Sequence, residues 1–323
     1  MWPKSFQEPL PPEELDSVDG VYAYMGGRVI PLREAKVSVM THAFLYGTAI
    51  FESLRGYFNP DDGEVFVFRL SDHSERMRRN GTILKMASPP AEEISRIVID
   101  VIRACGYRED CYIRTVLYKS GLQFGLRLSD MHDLTVLALP QGRFTKAARP
   151  ISVCVSSWRR MEDNAVPGRA KICGGYVNSA LAKAEALDNG FEDAIFVGES
   201  GHVVEGTGMN LFLVRGGRLI TPSSSENIVE GITRDTILEM ARNELGIEAE
   251  LRPVNRSELY TADELFFSGT ALEVTLVESV DRRVVGNGSA YPIAEKLKTL
   301  YFDAVRGKKK EYEKWLTPVY GQG

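Results

Sequence analysis

The residue best suited to covalent chemistry is Lys171, which lies in a run of mostly small or apolar residues, Arg169-Ala-Lys-Ile-Cys-Gly-Gly-Tyr176. Desolvation by such neighbours favours the neutral amine, which is the nucleophilic form of lysine. The alternative is an ordinary surface lysine in a loop, which is the usual environment of this residue type. The local sequence leaves both interpretations open.

Glu205 lies where a predicted strand runs into a glycine-rich turn, within His202-Val-Val-Glu-Gly-Thr-Gly-Met-Asn210. A carboxylate at that position could face a cationic ring nitrogen, since opposite charges stabilise each other. A surface glutamate before a turn is the alternative.

Two further turns carry small residues that could bind an anion. Gly231-Ile-Thr-Arg234 opens a predicted helix, where backbone N–H groups, a hydroxyl and the helix dipole can hold a phosphate. Ser268-Gly-Thr-Ala271 follows a predicted strand and offers a second set of N–H groups. The alternatives are an ordinary N-cap at Thr233 and a strand-to-helix turn that needs a positive φ at Gly269.

A reactive amine, a carboxylate and two phosphate turns are the parts needed to hold pyridoxal phosphate. The lysine forms the Schiff base, the turns take the phosphate, and the acid keeps the pyridine nitrogen protonated. Each signal is weak alone, but this one cofactor accounts for all four.

Other kinds of chemistry lack the motifs they need. The chain has no G-x-S-x-G elbow, no P-loop and no G-x-G-x-x-G after a strand. Its four histidines and four cysteines show no metal-ligand spacing, so we expect no metal site and reduced thiols. A net charge of -5 argues against nucleic acid or an anionic membrane as partner. No targeting signal or long apolar run is found, which predicts a cytoplasmic protein.

The elements that position these residues mix strands and helices without strict alternation. A length of 323 residues suggests two domains, and the pattern favours two α+β domains. We predict an arm at 1–20, a small domain at 21–140, a linker at 141–149 and a large domain at 150–323. Predicted helices include 72–86, capped by Ser71, and 91–104. Another, 176–189, has an apolar stripe of Val177, Ala180, Leu181, Ala184 and Leu187.

The order of the motifs resembles that of the class IV pyridoxal-phosphate aminotransferases, and most of all the branched-chain amino acid aminotransferases. The resemblance runs from about residue 21 to about residue 285. It is carried by the segments 40–52 (MTHAFLYGTAIFE), 112–114 (YIR), 170–179 (AKICGGYVNS), 205–206 (EG), 231–234 (GITR), 263–271 (DELFFSGTA) and 274–275 (VT).

This resemblance implies a two-domain fold with pyridoxal phosphate between the domains, and a role for each matching residue. Lys171 is then the catalytic Schiff-base lysine, and Glu205 is the acid at the pyridine nitrogen. The remaining implied cofactor residues are Arg76, Ile232, Thr233 and Thr270 at the phosphate and Tyr176 at the phenolic oxygen. The implied substrate residues are Tyr112 and Ala271 at the α-carboxylate, with Tyr46, Phe51 and Arg114 in the pocket. The reaction implied is transfer of the amino group of a branched-chain or other hydrophobic L-amino acid to 2-oxoglutarate, in a homodimer or higher homo-oligomer.

The sequence departs from the family at several pocket positions. Ser53 replaces a glycine, Gln141 and Phe144 stand where aromatic residues including tyrosine are common, and Gly175 replaces an asparagine. These departures motivate a second hypothesis, an (R)-amine or D-amino acid transaminase or an aminodeoxychorismate lyase on the same scaffold. A third hypothesis is a pyridoxal-phosphate binder without catalytic activity.

Overall fold

The computed structural model describes residues 10–141 and 149–321. The α-helices are α1 (His42–Tyr46), α2 (Leu70–Gly81), α3 (Ala91–Cys105), α4 (Tyr176–Asp188), α5 (Ile232–Leu245) and α6 (Pro292–Val305). The strands are β1 (Tyr22–Met25), β2 (Arg28–Pro31), β3 (Ala49–Asn59), β4 (Glu64–Phe68), β5 (Cys111–Tyr118), β6 (Asp133–Pro140), β7 (Ile151–Val155), β8 (Asp193–Val197), β9 (Val203–Gly206), β10 (Asn210–Arg215), β11 (Arg218–Thr221), β12 (Glu250–Leu251), β13 (Glu264–Gly269), β14 (Glu273–Val280), β15 (Arg283–Val284) and β16 (Leu316–Pro318). Short 3-10 helices lie at Pro12–Ser17, Leu32–Glu34, Thr82–Leu84, Gly168–Ala170, Cys173–Gly175, Ser224–Glu226, Arg256–Tyr260 and Lys310–Trp315.

The chain divides into two units. Unit 1 comprises Met1–Phe144, Ala170–Gly174 and Ala304–Gly323, and unit 2 comprises Thr145–Arg169 and Gly175–Asp303. Two segments that the sequence assigned to the large domain therefore group with unit 1. The reason is strand pairing, because Ile172 bridges to Ile50 on β3 and β16 pairs with β4. The domain boundaries drawn from the sequence stay a prediction.

Unit 1 is built on a seven-stranded antiparallel sheet with the order β16-β4-β3-β5-β6-β1-β2. Ile50 and Leu54 of β3 join a core cluster that includes Ile97 and Val101 of α3. Because side chains alternate along a strand, Phe51 and Ser53 lie on the opposite face of β3, whereas Glu52 shares the face of Ile50 and Leu54. Strand β5 runs beside β3 with Ser53 opposite Arg114, so the same face continues across both strands.

Unit 2 is built on a mixed sheet with the order β12-β11-β10-β13-β14-β7-β8-β9, and β15 pairs with β14. Strand β7 runs parallel to both β14 and β8, whereas β10 and β13 are antiparallel. Its central strands are nearly continuous apolar runs that bury both faces. Strand β9 ends and β10 begins in the glycine-rich segment 205–210, and β13 ends at the turn that starts with Ser268 and Gly269.

Local turn chemistry explains the hairpin at the start of unit 1. Gly26 and Gly27 both have positive φ, of 59° and 81°, as a two-residue turn with the twist of the flanking strands requires. Across this turn, β1 pairs antiparallel with β2.

Two local predictions are wrong, and so are the two alternative explanations given for the anion-binding turns. Helix α2 begins at Leu70 after Arg69, with no side-chain cap, so Ser71 does not cap it. Gly231, not Thr233, is the N-cap of α5. Gly269 leads into strand β14, and the positive φ near this turn, 56°, belongs to Glu273. The predicted stripe of α4 faces outward, because that helix buries Ser179, Ala182 and Ala186 instead.

Candidate active site

Lys171 lies beside β3 in unit 1, held by its backbone. The Phe51 N–H donates to the Lys171 carbonyl over 3.2 Å, and Ile172 bridges to Ile50. Lys171 has a φ of 51°, in the left-handed region that non-glycine residues rarely adopt. Such backbone strain persists only where surrounding contacts impose it, and it is concentrated at functional sites.

The aromatic ring of Phe51 gathers two cations. The Lys171 Nζ lies 4.6 Å from the ring centroid, and the Arg114 Cζ lies 4.3 Å from it. Arg114 also donates from Nη2 to the Tyr112 hydroxyl over 3.0 Å. The fold thus brings the predicted lysine together with three predicted substrate residues on one face of β3 and β5.

Tyr46, on α1, contacts the loop that contains Gly125. Its hydroxyl accepts a hydrogen bond from the Gly125 N–H over 3.1 Å. The His42 ring bonds the Gly125 carbonyl through Nε2 at 3.0 Å and the Thr48 hydroxyl through Nδ1 at 2.7 Å. His42 carried no role in the sequence analysis, yet it fixes this loop beside Tyr46.

Arg76, on α2, is buried and ion-paired with Glu52 of β3. Its Nε and Nη2 donate to the two Glu52 oxygens over 2.7 and 2.6 Å, and the His73 Nδ1 bonds the same carboxylate at 2.8 Å. Burial opposes ionisation of Glu52, but Arg76 and His73 together hold its pKa well below the usual range. Burial lowers the pKa of His73, although its hydrogen bond to Glu52 opposes that shift. Sequence reasoning missed this pairing, because the partners belong to different elements.

Glu205, on β9 of unit 2, is buried with both oxygens engaged. Oε1 lies 2.8 Å from the Arg160 Nη2, while Oε2 accepts from the Asn210 Nδ2 over 3.0 Å and from the Val229 N–H over 3.1 Å. Three polar groups from separate segments therefore fix the position and orientation of this carboxylate. Neither Arg160 nor Asn210 was assigned a role from the sequence.

The start of α5 forms a cradle. Ile232 and Thr233 are the first residues of the helix and both are buried, and no side chain caps its N-terminus. A Cβ at Gly231 would lie 2.0 Å from the Asn210 Oδ1, so only glycine fits there. At the other turn of unit 2, the buried Ser268 Oγ has no hydrogen-bond partner among the described residues.

The remaining predicted residues lie at the ends of helices and strands. Tyr176 is the first residue of α4, and Thr270 and Ala271 form the turn from β13 to β14. All three are half-buried. Gln141 donates its N–H to the Asp110 carbonyl, and Phe144 lies outside the described residues.

These donor sets fit pyridoxal phosphate. Taken separately, unit 1 contains a lysine amine on a strained backbone, and unit 2 contains a carboxylate fixed by polar contacts and a helix N-terminus without a side-chain cap. An amine, an acid and an anion cradle match the carbonyl, ring nitrogen and phosphate of that cofactor.

Comparison with known proteins identifies the family. The model of the family "Amino-transferase class IV" matches residues 49–280. The chain belongs to the class IV aminotransferases. The predicted resemblance and the predicted α+β fold class are therefore confirmed. The family match also covers most of the motif positions singled out in the sequence.

Several relatives of this aminotransferase carry one name. A probable branched-chain-amino-acid aminotransferase of Aquifex aeolicus is 45% identical over 93% of this chain and 97% of its own length. The crystal structure of the branched-chain aminotransferase from Thermoproteus uzoniensis with norvaline has a TM-score of 0.88 and 40% identity, covering 93% of this chain and 99% of that one. The PLP-form of the enzyme from Thermobaculum terrenum has a TM-score of 0.89 and 38% identity, covering 93% and 98%.

Two kinds of feature are absent from the described part of the chain. No three His, Cys, Asp or Glu side chains in 10–141 and 149–321 are grouped so that they could hold a metal ion. Within the same residues, no helix is both long and apolar enough to cross a bilayer.

Proposed function

We propose that this aminotransferase uses pyridoxal phosphate to move the amino group of branched-chain or other hydrophobic L-amino acids to 2-oxoglutarate. The observation that carries the proposal is the constrained Lys171, whose amine lies over Phe51 beside Arg114. The shared name of relatives that are 38–45% identical over 93% of the chain supports the donor class. The decisive measurement is a panel of amino donors with the cofactor absorbance as readout.

Each residue then has a defined task. When bound, pyridoxal phosphate supplies a ring that withdraws electrons from the substrate Cα. Lys171 holds the cofactor covalently and, once released, moves a proton to and from the substrate Cα as a general acid–base. Glu205 accepts the ring N–H, and Tyr176 donates to the phenolic oxygen. The phosphate contacts are assigned to Arg76, Ile232, Thr233 and Thr270.

Different residues are assigned to the two carboxylates of the substrate glutamate. Tyr112 and the backbone at Thr270–Ala271 are assigned to the α-carboxylate. Arg114 offers a fixed guanidinium, since the Tyr112 hydroxyl and the Phe51 ring hold it in place, and it serves the second carboxylate of glutamate. Tyr46 and Phe51 form apolar walls for the side chain of the donor.

The alternative reactions on this scaffold are less well supported. The relatives named above are branched-chain aminotransferases, which does not favour an (R)-amine or D-amino acid transaminase or an aminodeoxychorismate lyase. A panel of L-amino acids, D-amino acids, amines and aminodeoxychorismate separates these reactions. Consumption of aminodeoxychorismate alone, with pyruvate released and no oxo-acid acceptor required, would replace the transaminase proposal.

Ser53 is expected to restrict the donor pocket. It is buried on the pocket face of β3, directly opposite Arg114. Ser53→Gly removes a side chain from this wall, so kcat/KM for leucine relative to alanine should rise about tenfold, the order expected for a change of one or two heavy atoms in an apolar pocket. Steady-state kinetics with both donors measures the ratio.

A matched control for that substitution is Ser279→Gly on β14, which also places a glycine within a strand. It should lower stability slightly and leave the leucine-to-alanine ratio unchanged. An unaltered ratio in Ser53→Gly would remove Ser53 from the determinants of specificity.

We also propose a homodimer. Unit 1 exposes Phe44, Leu122, Phe124 and Leu126, which are 65%, 59%, 76% and 81% accessible. On α4 of unit 2, Val177, Leu181 and Leu187 are 62%, 40% and 57% accessible. Apolar groups clustered in this way favour association with another protein surface.

The homodimer proposal predicts a sedimentation result. The wild-type protein should sediment at twice its chain mass, and the double variant Val177→Glu with Leu181→Glu should shift it toward the monomer, because buried unpaired carboxylates oppose association. Leu251→Glu, at an apolar residue 50% exposed on β12, is the control and should leave the dimer intact. A wild-type protein that sediments only as a monomer contradicts the proposal.

A cytoplasmic location is the final element of the proposal. The four cysteines are free, and Cys111 and Cys154 are buried. Free thiols persist in reducing compartments, so alkylation of the denatured protein should label all four without prior reduction.

A further inference from the structure

Arg160 forms a buried ion pair with Glu205, the carboxylate assigned to the ring nitrogen of the cofactor. Its side chain is 6% accessible and Glu205 is 4% accessible, so the pair is almost completely removed from water. The Arg160 Cζ lies 5.7 Å from the centroid of the Phe196 ring, and its Nε has no hydrogen-bond partner among the described residues. A buried guanidinium is costly unless a charge compensates it. We infer that Arg160 is a positioning residue, which keeps Glu205 ionised and aimed at the ring nitrogen of the cofactor.

The backbone around Arg160 is shaped to accept the guanidinium. The Arg160 N–H donates to the Val197 carbonyl over 3.1 Å, which attaches this segment to β8. A Cβ on Gly168 would lie 3.2 Å from the Arg160 Nη2, so a larger residue there would crowd the guanidinium. Gly168 therefore leaves space for the guanidinium, and β8 anchors the backbone that carries it.

The second oxygen of Glu205 is fixed independently. Asn210 donates from Nδ2 both to Glu205 and to the Val229 carbonyl, over 3.0 and 2.8 Å. Its Oδ1 fills the space that a side chain at Gly231 would occupy, so the amide ties the carboxylate to the start of α5. Because these bonds fix the orientation of the Glu205 carboxylate, what remains to be set is the position of the proton that it shares with the ring nitrogen of the cofactor.

The positive charge of Arg160 determines the position of that proton. A guanidinium beside a carboxylate stabilises the ionised form, so a proton shared between Glu205 and a ring nitrogen stays on the nitrogen. The protonated ring is the better electron acceptor, and the rate of proton removal from the substrate Cα depends on it. This inference rests on the proposed function, since it takes Glu205 as the partner of the ring nitrogen.

The test is 15N NMR of the holoenzyme loaded with pyridoxal phosphate labelled at the ring nitrogen, recorded across pH. In the wild type we expect a protonated nitrogen throughout the neutral range. Arg160→Met should lower the apparent pKa of that nitrogen by about one unit or more, with a fall in kcat of about tenfold or more and little change in KM. Arg160→Lys should restore most of both, because it restores the charge.

Two further variants keep the result interpretable. Arg160→Gln retains a hydrogen-bond donor without charge and should behave like Arg160→Met, which covers the case that Arg160→Met does not fold. Arg159→Met, at the exposed neighbouring arginine, should leave the 15N signal and kcat unchanged. A neutral variant that loses activity while its ring nitrogen stays protonated would show a merely structural role and overturn the inference.

The outcomes also separate this inference from the proposed function. An unprotonated nitrogen in the wild type, or no change in Glu205→Gln, would reject the assignment of Glu205 and with it the role of Arg160. Ring protonation that depends on Arg160, in a protein that transaminates no amino acid, would support the inference while rejecting the proposed reaction.

Discussion

Lys171→Ala is expected to abolish transamination in both half-reactions. The substitution removes the covalent anchor of the cofactor and the acid–base group at the substrate Cα at once. General acid–base catalysis alone contributes about 10²- to 10⁴-fold, so we expect a loss of about 10⁴-fold or more in kcat. Single-turnover kinetics with leucine and with glutamate, followed by cofactor absorbance, measures each half-reaction separately.

The chain offers a close control for that substitution. Lys85 also has a φ of 51°, so Lys85→Ala imposes the same backbone change at an exposed site. It should retain full activity, which separates loss of the amine from strain in the left-handed region. A Lys171→Ala variant that still turns over would refute the assignment of the catalytic lysine and the proposed function together.

Glu52→Gln is expected to have the largest effect on stability. Glu52 and Arg76 are 2% and 8% accessible, and the carboxylate bonds two guanidinium nitrogens as well as His73. Removing one partner of a buried ion pair leaves the other charge uncompensated, which costs about 3–5 kcal/mol. Denaturant unfolding of the apoprotein at pH 7 measures this loss without a contribution from bound cofactor.

The pH dependence of that effect has a definite sign. The pKa of Glu52 is lowered in the folded state, so its contribution is present above the pKa of an unfolded glutamate, about 4.3, and is lost as the pH falls. The difference in stability between wild type and Glu52→Gln should therefore shrink in acid. The control is Glu75→Gln on α2, the helix that carries Arg76. It breaks only an exposed pair with Arg78 and should change stability little. Equal stability of Glu52→Gln and wild type at pH 7 would contradict the expected role of the pair.

Some of this protein could be predicted because the information is local. The hairpin at Gly26–Gly27 follows from the backbone freedom of glycine, and β1 pairs with β2 across it. The helices α3 and α5 follow from apolar periodicity ended by a glycine, with Gly106 and Gly246 in the left-handed region after each. The motif order that identified the family is likewise a property of the sequence alone.

Other features depend on which elements the fold brings together. The apolar stripe of α4 was visible in the sequence, but periodicity does not say which face meets the core. In unit 2 the small residues Ala182 and Ala186 pack inward because they allow close approach to β8, and the larger residues remain outside. The same limit applies to residues 170–174, whose grouping with unit 1 is decided by a bridge to β3.

The amino-acid sequence by itself determined the chemical parts: a lysine among small residues, an acid at a strand end and a helix that opens with glycine. Only the tertiary structure decided the partners of these groups. It paired Arg76 with Glu52 and His73, and Glu205 with Arg160 and Asn210. The physical reason is that a buried charge requires a partner, while sheet topology, not proximity in sequence, decides which residue can supply it.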